Sequence, residues 1–382
     1  MERWDLAVVG CGGIGSAVLW QAARLGLRAV GLDQHRPPHH YGSSHGISRI
    51  YRQAYYEHPD YVPLLLEAGD EWRRLERESR CPLFDQTGLL YVGPPDGQII
   101  PSVLASSETY GIPLQRLNKA ESHRRFAPFQ VEDHQEVLLE PGAGSLRVEQ
   151  CVEVAIDRAR ELGATVGLGE PVIGWESQAD GICLTTTQRS LVARRVVVAA
   201  GPWAASWWST EPVRLQLLRQ VMHWYESDLK GLRQSEGAPA FFYETSRGFF
   251  YGFPACTQGI LKVARHGHGH PIATPESLDR SWDSQEAHEV EWFLDRYLPA
   301  QWTAVRQAAC IYTMSEDAHF VIDRSEQDER LMIASGFSGH GFKFASGLGL
   351  RLAQWAASGE INPQWRFLGW NRFHSPGLQQ GG

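Results

Sequence analysis

The chain opens on a sharp change of hydrophobic period. Leu6-Ala7-Val8-Val9 is a short apolar run, and Gly10-Cys11-Gly12-Gly13-Ile14-Gly15 follows it directly. Ala17, Val18, Trp20, Gln21, Ala22 and Leu25 then fall at helical spacing, and Gly26 ends the pattern as a C′ residue. A second apolar run from Leu27 to Leu32 stops at Asp33. The pattern predicts strand, glycine turn, helix, strand and acid. Further on, residues 47–56 are β-branched and aromatic. A helix is predicted from Pro59-Asp60, with Val62, Leu65, Leu66, Gly69, Trp72 and Leu75 on its core face. Residues 84–141 mix short strands and helix. Residues 148–162 read as an amphipathic helix, followed by alternation to Thr187. Residues 191–200 form a buried strand running into Gly201-Pro202-Trp203. Residues 213–225 and 240–266 are β-rich, and 284–298 is helical. A strand at Leu331-Met332-Ile333-Ala334 enters a glycine-rich turn, and a helix over 343–357 follows. There is no internal repeat and no low-complexity linker, so the domains are expected to interleave.

The first turn has a mechanism. Gly10 permits a tight turn, Gly12 lets the backbone approach a pyrophosphate, and Gly15 lets the helix pack on the strand. The helix N-terminus offers free N–H groups and the positive end of a dipole. Asp33, 18 residues after Gly15, is placed to accept hydrogen bonds from an adenosine ribose. An acid there favours an unphosphorylated ribose, hence NAD or FAD over NADP. The N-terminal position without a second Rossmann half leans to FAD. The second glycine-rich turn, residues 335–344, ends near Lys343. That lysine reads equally as a solvated surface cation and as a partner, with the helix end, for a bound anion.

Composition narrows the class. Of 382 residues 43% are hydrophobic and 21% charged, which is globular usage. The net charge of -8, from 36 Lys+Arg against 44 Asp+Glu, disfavours a broad nucleic-acid grip. Only Lys119, Lys230, Lys262 and Lys343 are lysines, so each one is worth placing. The cysteines (Cys11, Cys81, Cys151, Cys183, Cys256 and Cys310) are spread too widely for a zinc ribbon or a disulfide framework. No signal segment or long apolar run is present, and a soluble cytoplasmic protein is expected.

Several distant motifs resemble, in order and spacing, the monomeric sarcosine oxidase and N-methyltryptophan oxidase family of FAD-dependent amine oxidases. They are residues 10–15 with Asp33, Gly42-Ser43-Ser44-His45-Gly46-Ile47-Ser48-Arg49-Ile50-Tyr51-Arg52, Tyr251-Gly252-Phe253-Pro254, Leu261-Lys262, His266, Cys310-Ile311-Tyr312-Thr313 and residues 336–344. The resemblance runs over nearly the whole chain. It implies an α/β plus α+β fold, in which a Rossmann-like FAD-binding domain (1–82, 142–216 and 318–382) interleaves with a β-sheet-rich substrate domain (83–141 and 217–317).

It also implies FAD linked covalently through Cys310. The FAD contacts it implies are Gly10, Gly12, Gly13, Ile14, Gly15, Asp33, Ser43, Ser44, His45, Arg49, Ala200, Gly201, Trp203, Gly336, Phe337, Gly339, His340, Gly341, Phe342 and Lys343. Arg52 and Lys343 map to the substrate-carboxylate clamp, a job that suits a planar fork plus a point charge. Arg49 maps beside the flavin ring, and Lys262 to a cation that activates O₂. Tyr251, His266 and Tyr312 map to the pocket around the substrate amine. His45 and Glu57 match supporting positions. No metal is implied, although the tract from Arg265 to His270 has three histidines. One departure is that Phe241-Phe242-Tyr243-Glu244 stands where sarcosine-specific members carry a methionine.

The expected activity is oxidation of a secondary amino acid (an N-methyl or cyclic imino acid) to an imine, with O₂ reduced to H₂O₂ by a monomer acting on a small molecule. The alternatives are a flavin dehydrogenase that passes electrons to a quinone or carrier protein, a catalytically idle nucleotide-binding module, and an NAD-dependent dehydrogenase.

Overall fold

A computed structural model describes residues 2–207, 213–256 and 259–373. The predicted first motif forms as one parallel unit. The strand Glu2–Val9 pairs in parallel with Ala29–Asp33 on one edge and Ser190–Val198 on the other. Ala29–Asp33 pairs in turn with Thr165–Leu168. The far edge of Ser190–Val198 is shared. Gly181–Thr186 lies antiparallel along its first half, and Leu331–Ser335 lies parallel along its second. Residues Leu6 to Val9, Val30 and Val196 to Val198 are all buried, as parallel strands covered on both faces must be.

The helix Gly13–Arg24 covers this sheet together with Val148–Glu161 and Ala345–Ser358. The first and last of these helices approach closely, because a Cβ on Gly349 would sit 2.6 Å from the Ala17 carbonyl carbon. The first helix ends at Arg24, and Gly26 adopts φ +76°, as its C′ position requires.

A second, mostly antiparallel sheet supplies the other wall of the site. Its long pair is Gln216–Glu226 against Thr303–Met314, paired from Gln216 opposite Met314 to Glu226 opposite Thr303 with one shift of register between Trp224 and Tyr225. Ile260–His266, Gly248–Gly252, Ala240–Thr245 and Leu89–Gly93 extend it. Its outer face is closed by the helix Ser284–Tyr297, whose Phe293 stacks on Phe241 and Phe250 at 5.8 and 4.8 Å between ring centroids. A small sheet of Ser48–Tyr51, Gly144–Arg147 and Phe84–Asp85 carries the arginine-bearing segment between the two large sheets.

Two predicted helices start later than their spacing suggests. Pro59–Tyr61 is a 3₁₀ turn before the α-helix Val62–Ser79. Phe342–Phe344 is likewise a 3₁₀ turn before Ala345–Ser358. Lys343 lies in this second turn, and its Nζ donates to the His340 carbonyl at 2.7 Å. Among the described residues no helix is long and apolar enough to cross a membrane. The expected domain limits take in Met1, 208–212, 257–258 and 374–382, which lie outside the described residues.

Candidate active site and cofactor cleft

The glycine turn forms the floor of an elongated cleft. Gly10 adopts φ +88°, and a Cβ there would fall 2.5 Å from the Ala199 carbonyl oxygen. A Cβ on Gly15 would lie 1.7 Å from the Gly10 oxygen, so the helix can seat on the strand only with glycine at that position. The helix that follows has no side-chain cap and no acid in its first turn. Its N–H groups and dipole therefore face the cleft, apart from the Gly13 amide, which donates to Ser44 Oγ at 3.0 Å. Asp33 spends both carboxylate oxygens on backbone, accepting from the Cys11 and His35 amides at 2.7 Å each. It locks the turn onto the second strand while still standing on the cleft wall.

The sequence-assigned cofactor residues divide in two. Gly10, Gly12, Gly13, Ile14, Asp33, Ser43, Ser44, Arg49, Ala200, Gly201, Trp203, Phe337, Gly339, Gly341 and Phe342 line the cleft. Gly15, His45, Gly336 and Cys310 do not, and His340 and Lys343 face a second chamber instead. Cys310 is buried in the strand Thr303–Met314, on the side of Tyr312, while its neighbours Ile311 and Tyr312 reach the wall. Burial pushes its thiol up, against the pull of Arg49, Lys262 and Arg219. His45 is buried with its Nε2 unpartnered. Burial, aided by the Arg49 and Lys262 charges, lowers it to about 3, so it is neutral. Val152 and Val172 also line the cleft and were not singled out, because they read in sequence as ordinary core with no local signal to mark them.

The second chamber is small, about 60 Å³ against about 240 Å³ for the cleft. It suits an amino-acid head rather than a second nucleotide. Arg49, Tyr312, Gly339 and Phe342 line both spaces, so the two meet along one wall. The chamber gathers Arg52, Tyr251, His266, Tyr312, His340 and Lys343 from segments far apart in the chain, together with Glu57 and Phe242.

Arg52 is fully buried. One terminal nitrogen, Nη2, donates to both Glu57 oxygens at 2.7 Å. Its guanidinium lies over Tyr55, Tyr56 and Phe242 at 4.6, 4.4 and 5.4 Å. Its Nη1 is buried with no partner, which leaves a free donor on a chamber-lining residue. Burial works against the Arg52 charge, but Glu57 more than offsets it and holds the guanidinium above its ordinary value. Burial likewise pushes the Glu57 carboxyl up, yet Arg52, His340 and Lys343 leave it below the usual range.

Lys343 is buried, which removes the solvated-surface reading. It donates to the His340 carbonyl and lies 3.4 Å from the Tyr55 hydroxyl. Burial and then the Arg52 charge lower it to about 7, with Glu57 pulling the other way. The histidines are neutral. Burial lowers His266 to about 4 and His340 to about 3. The Ala318 carbonyl can only accept, so His340 Nε2 carries the hydrogen and Nδ1 accepts from the Tyr55 hydroxyl at 2.5 Å. The Tyr312 hydroxyl lies 3.4 Å from His266 Nδ1.

Lys262 lines neither space. It is buried beside them, with Nζ donating to the Gly46 and Ser48 carbonyls at 2.7 Å each. Arg49 shares that seat, donating to the Ser48 and Ser43 carbonyls at 2.9 Å. Two further carboxylates act behind the site and carry no local sequence signal. Glu140, fully buried, accepts from the Gln53 and Ala54 amides at 2.6 and 3.3 Å and from the Tyr91 hydroxyl at 2.6 Å. It pins the backbone just after Arg52. Glu149 pins the turn at Gly46 and Ile47.

The cleft thus offers an uncapped helix end, a tight glycine floor and largely apolar walls, which fits a dinucleotide. The chamber offers an unsatisfied guanidinium donor beside a lysine, which fits a carboxylate.

Known proteins resemble the chain over nearly its whole length. The family model described as FAD dependent oxidoreductase matches residues 5–355. Monomeric sarcosine oxidase of Bacillus sp. (strain NS-129) is 34% identical over 376 residues, 97% of each chain. N-methyl-L-tryptophan oxidase of Yersinia pestis (strain Pestoides F) is 35% identical over 349 residues, 91% of this chain and 93% of that one. Among solved structures, NikD, an amino acid oxidase of nikkomycin biosynthesis, superposes with TM-score 0.83 at 23% identity, over 97% of this chain and 98% of that one. L-proline dehydrogenase of P. horikoshii superposes with TM-score 0.84 at 19% identity, over 98% of each. These two likenesses bear on the fold.

Proposed function

The chain belongs to the FAD-dependent oxidoreductase family, and from that premise we propose that it oxidises secondary α-amino acids with O₂. The substrate class is N-methyl amino acids or cyclic imino acids. The substrate loses two electrons and two protons to become an imine, which water hydrolyses, and O₂ gains them as H₂O₂. The observation that carries the proposal is the free Nη1 of a fully buried Arg52 in a chamber that also holds Lys343 and shares a wall with the cofactor cleft.

The substrate carboxylate takes Arg52 Nη1 and Lys343 Nζ. Both clamp groups are buried, so their hydrogen bonds act at low dielectric and fix orientation as well as affinity. Neutral His266 and Tyr312 stand as a polar pair for the amine, and Tyr251 and Phe242 close the aromatic side. Bound FAD supplies the two-electron redox chemistry. Gly10, Gly12, Gly13, Ile14 and Asp33, which line the cleft, would hold its adenosine and pyrophosphate, and Arg49 stands where cleft and chamber meet. Cys310 is proposed as its covalent attachment point. Lys262, its Nζ held by two backbone carbonyls beside that meeting point, is proposed to favour electron transfer to O₂ in its charged form. It supports an oxidase over a dehydrogenase that uses a quinone or carrier protein. We further propose a cytoplasmic monomer divided at 1–82, 142–216 and 318–382 against 83–141 and 217–317, the monomer being supported by the similarity to monomeric sarcosine oxidase. The test is H₂O₂ release by purified holoenzyme across N-methyl and cyclic imino acids. Peroxide from members of this panel is expected, and silence across all of it would overturn the proposal.

The clamp also sets a pH dependence. Lys343, lowered to about 7, is charged below that pH and neutral above it. Binding of an amine-free carboxylate such as propionate is expected to weaken as pH rises through about 7, by up to about tenfold per pH unit. Titration of the flavin absorbance with propionate at a series of pH values reads this. Lys343→Met should weaken binding and flatten the profile, and an unchanged slope in that variant would remove Lys343 from the clamp.

A further inference from the structure

Ile47 holds a conformation that its side chain resists. Its φ is +73°, rare for any residue with a Cβ and more so for a β-branched one. The Ser48 amide donates to the Gly46 carbonyl at 2.8 Å, so Ile47 is the centre of a three-residue γ-turn of the positive-φ form, which is strained. Such a turn persists only where its surroundings over-determine it.

The surroundings here are specific. Glu149, in the first turn of the helix Val148–Glu161, places its carboxylate against two successive amides. Oε1 accepts from Gly46 at 2.7 Å and Ile47 at 3.1 Å, and Oε2 accepts from Ile47 at 3.0 Å. The Ile47 carbonyl accepts from the Val148 amide at 3.0 Å, so the same helix start holds the turn from both sides. Inside the turn, the Gly46 and Ser48 carbonyls take both observed hydrogen bonds of the buried Lys262 ammonium. The Ser48 carbonyl also takes Arg49. On one side stands an anion, on the other two cations, and between them is one strained turn whose Gly46 and Ile47 amides face the anion and whose Gly46 and Ser48 carbonyls face the cations.

We propose that Glu149 is a positioning residue for Lys262, holding the strained turn so that the Gly46 and Ser48 carbonyls fix the ammonium beside the cofactor cleft. The catalytic consequence rests on the O₂ role proposed for Lys262, whereas the positioning itself does not. Glu149 touches neither cavity wall. Its negative charge also favours the charged form of a lysine that burial and Arg49 push well below its ordinary value.

Two readouts on the holoenzyme test this. The first is the split between half-reactions. Glu149→Gln removes the negative charge and turns one of the two oxygens at the Ile47 amide into an NH₂ donor that opposes it, so it should slow flavin reoxidation by O₂ by roughly tenfold, with flavin reduction by substrate changed less than about twofold. Adding Ile47→Gly, which adopts positive φ without strain, should recover reoxidation. In a Lys262→Met background, Glu149→Gln should add nothing further.

The second readout is the acylation rate of Lys262 by an amine-reactive probe, mapped by peptide mass. Lys119 serves as the exposed reference, and mapping is clean because the chain has four lysines. Lys262 should label faster in Glu149→Gln and return towards the wild-type rate in the double variant. If Lys262→Met leaves reoxidation unchanged, the O₂ role fails and the labelling alone decides the positioning claim. Equal slowing of both half-reactions, or Lys262 labelling unchanged by Glu149→Gln, would overturn it. Should Glu149→Gln yield no holoenzyme, Glu149→Asp, too short to span both amides, is read by the same two measurements.

Discussion

Replacing Cys310 by alanine is expected to leave all of the flavin in the supernatant when the protein is precipitated with acid, whereas the wild-type pellet stays yellow. Cys310 is buried in the strand whose next residues, Ile311 and Tyr312, form part of the cleft wall. Its burial keeps the thiol protonated in the free chain, and Arg49, Lys262 and Arg219 pull the other way. The three cations supply the electropositive surroundings of a reactive cysteine, while the burial and raised thiol are those of a core site. The other cysteines give a control. Cys11 is also buried, its thiol is pushed up by burial and by Asp33, and it sits at the pyrophosphate turn. Cys11→Ala should leave the colour in the pellet. Yellow supernatant from wild-type protein would remove the covalent link altogether.

Replacing Arg52 by alanine is expected to raise KM for a carboxylate substrate by about thirtyfold or more, since truncating one side of a buried charge pair costs about 2–5 kcal/mol. A decarboxylated amine, which never used the clamp, should show little change in KM. The same substitution strips Glu57 of the partner that holds its carboxyl low. An uncompensated buried carboxylate costs about 3–5 kcal/mol of stability, so Tm should fall as well. Arg52→Lys separates the two effects. It restores a charge for Glu57 but not the two-pronged geometry, so Tm should recover further than KM. Equal KM changes for the acid and the decarboxylated amine would remove Arg52 from the clamp.

The sequence was most legible where chemistry depends on local spacing. Gly10, Gly15 and Asp33 are set by one strand, one turn and one helix, and they stand in the structure as their spacing requires. The chamber is a different case. Arg52, Tyr251, His266, Tyr312 and Lys343 meet only because both large sheets and the last helix converge, and no spacing within one element brings them together. Family resemblance, not periodicity, placed them. The position of Lys343 shows the limit. Its sequence context left a surface cation and a ligand-binding cation equally open, and only packing beneath Tyr55 and Phe344 decided for burial.

The supporting carboxylates were less visible still. Glu140 follows a run of strand residues and Glu149 opens an amphipathic helix, so each reads as ordinary polarity. Their partners are backbone amides, which carry no residue identity. The Arg52–Glu57 pair spans a loop rather than a helical turn, so no i,i+4 rule marks it. The expectation for Lys262 is refined in the same way. The sequence resemblance places it near the reacting centre, and the structure seats it on backbone carbonyls just behind the cleft wall rather than on the wall itself.

The central claim is that a secondary amino acid bound by Arg52 and Lys343 gives its electrons to flavin and then to O₂. Mixing the holoenzyme with an N-methyl or cyclic imino acid without oxygen, and then admitting O₂, tests it in one experiment. The flavin absorbance should bleach on mixing and return on oxygenation, with H₂O₂ and imine product formed in equal amounts. Bleaching that persists in O₂ until a quinone is added would contradict the account.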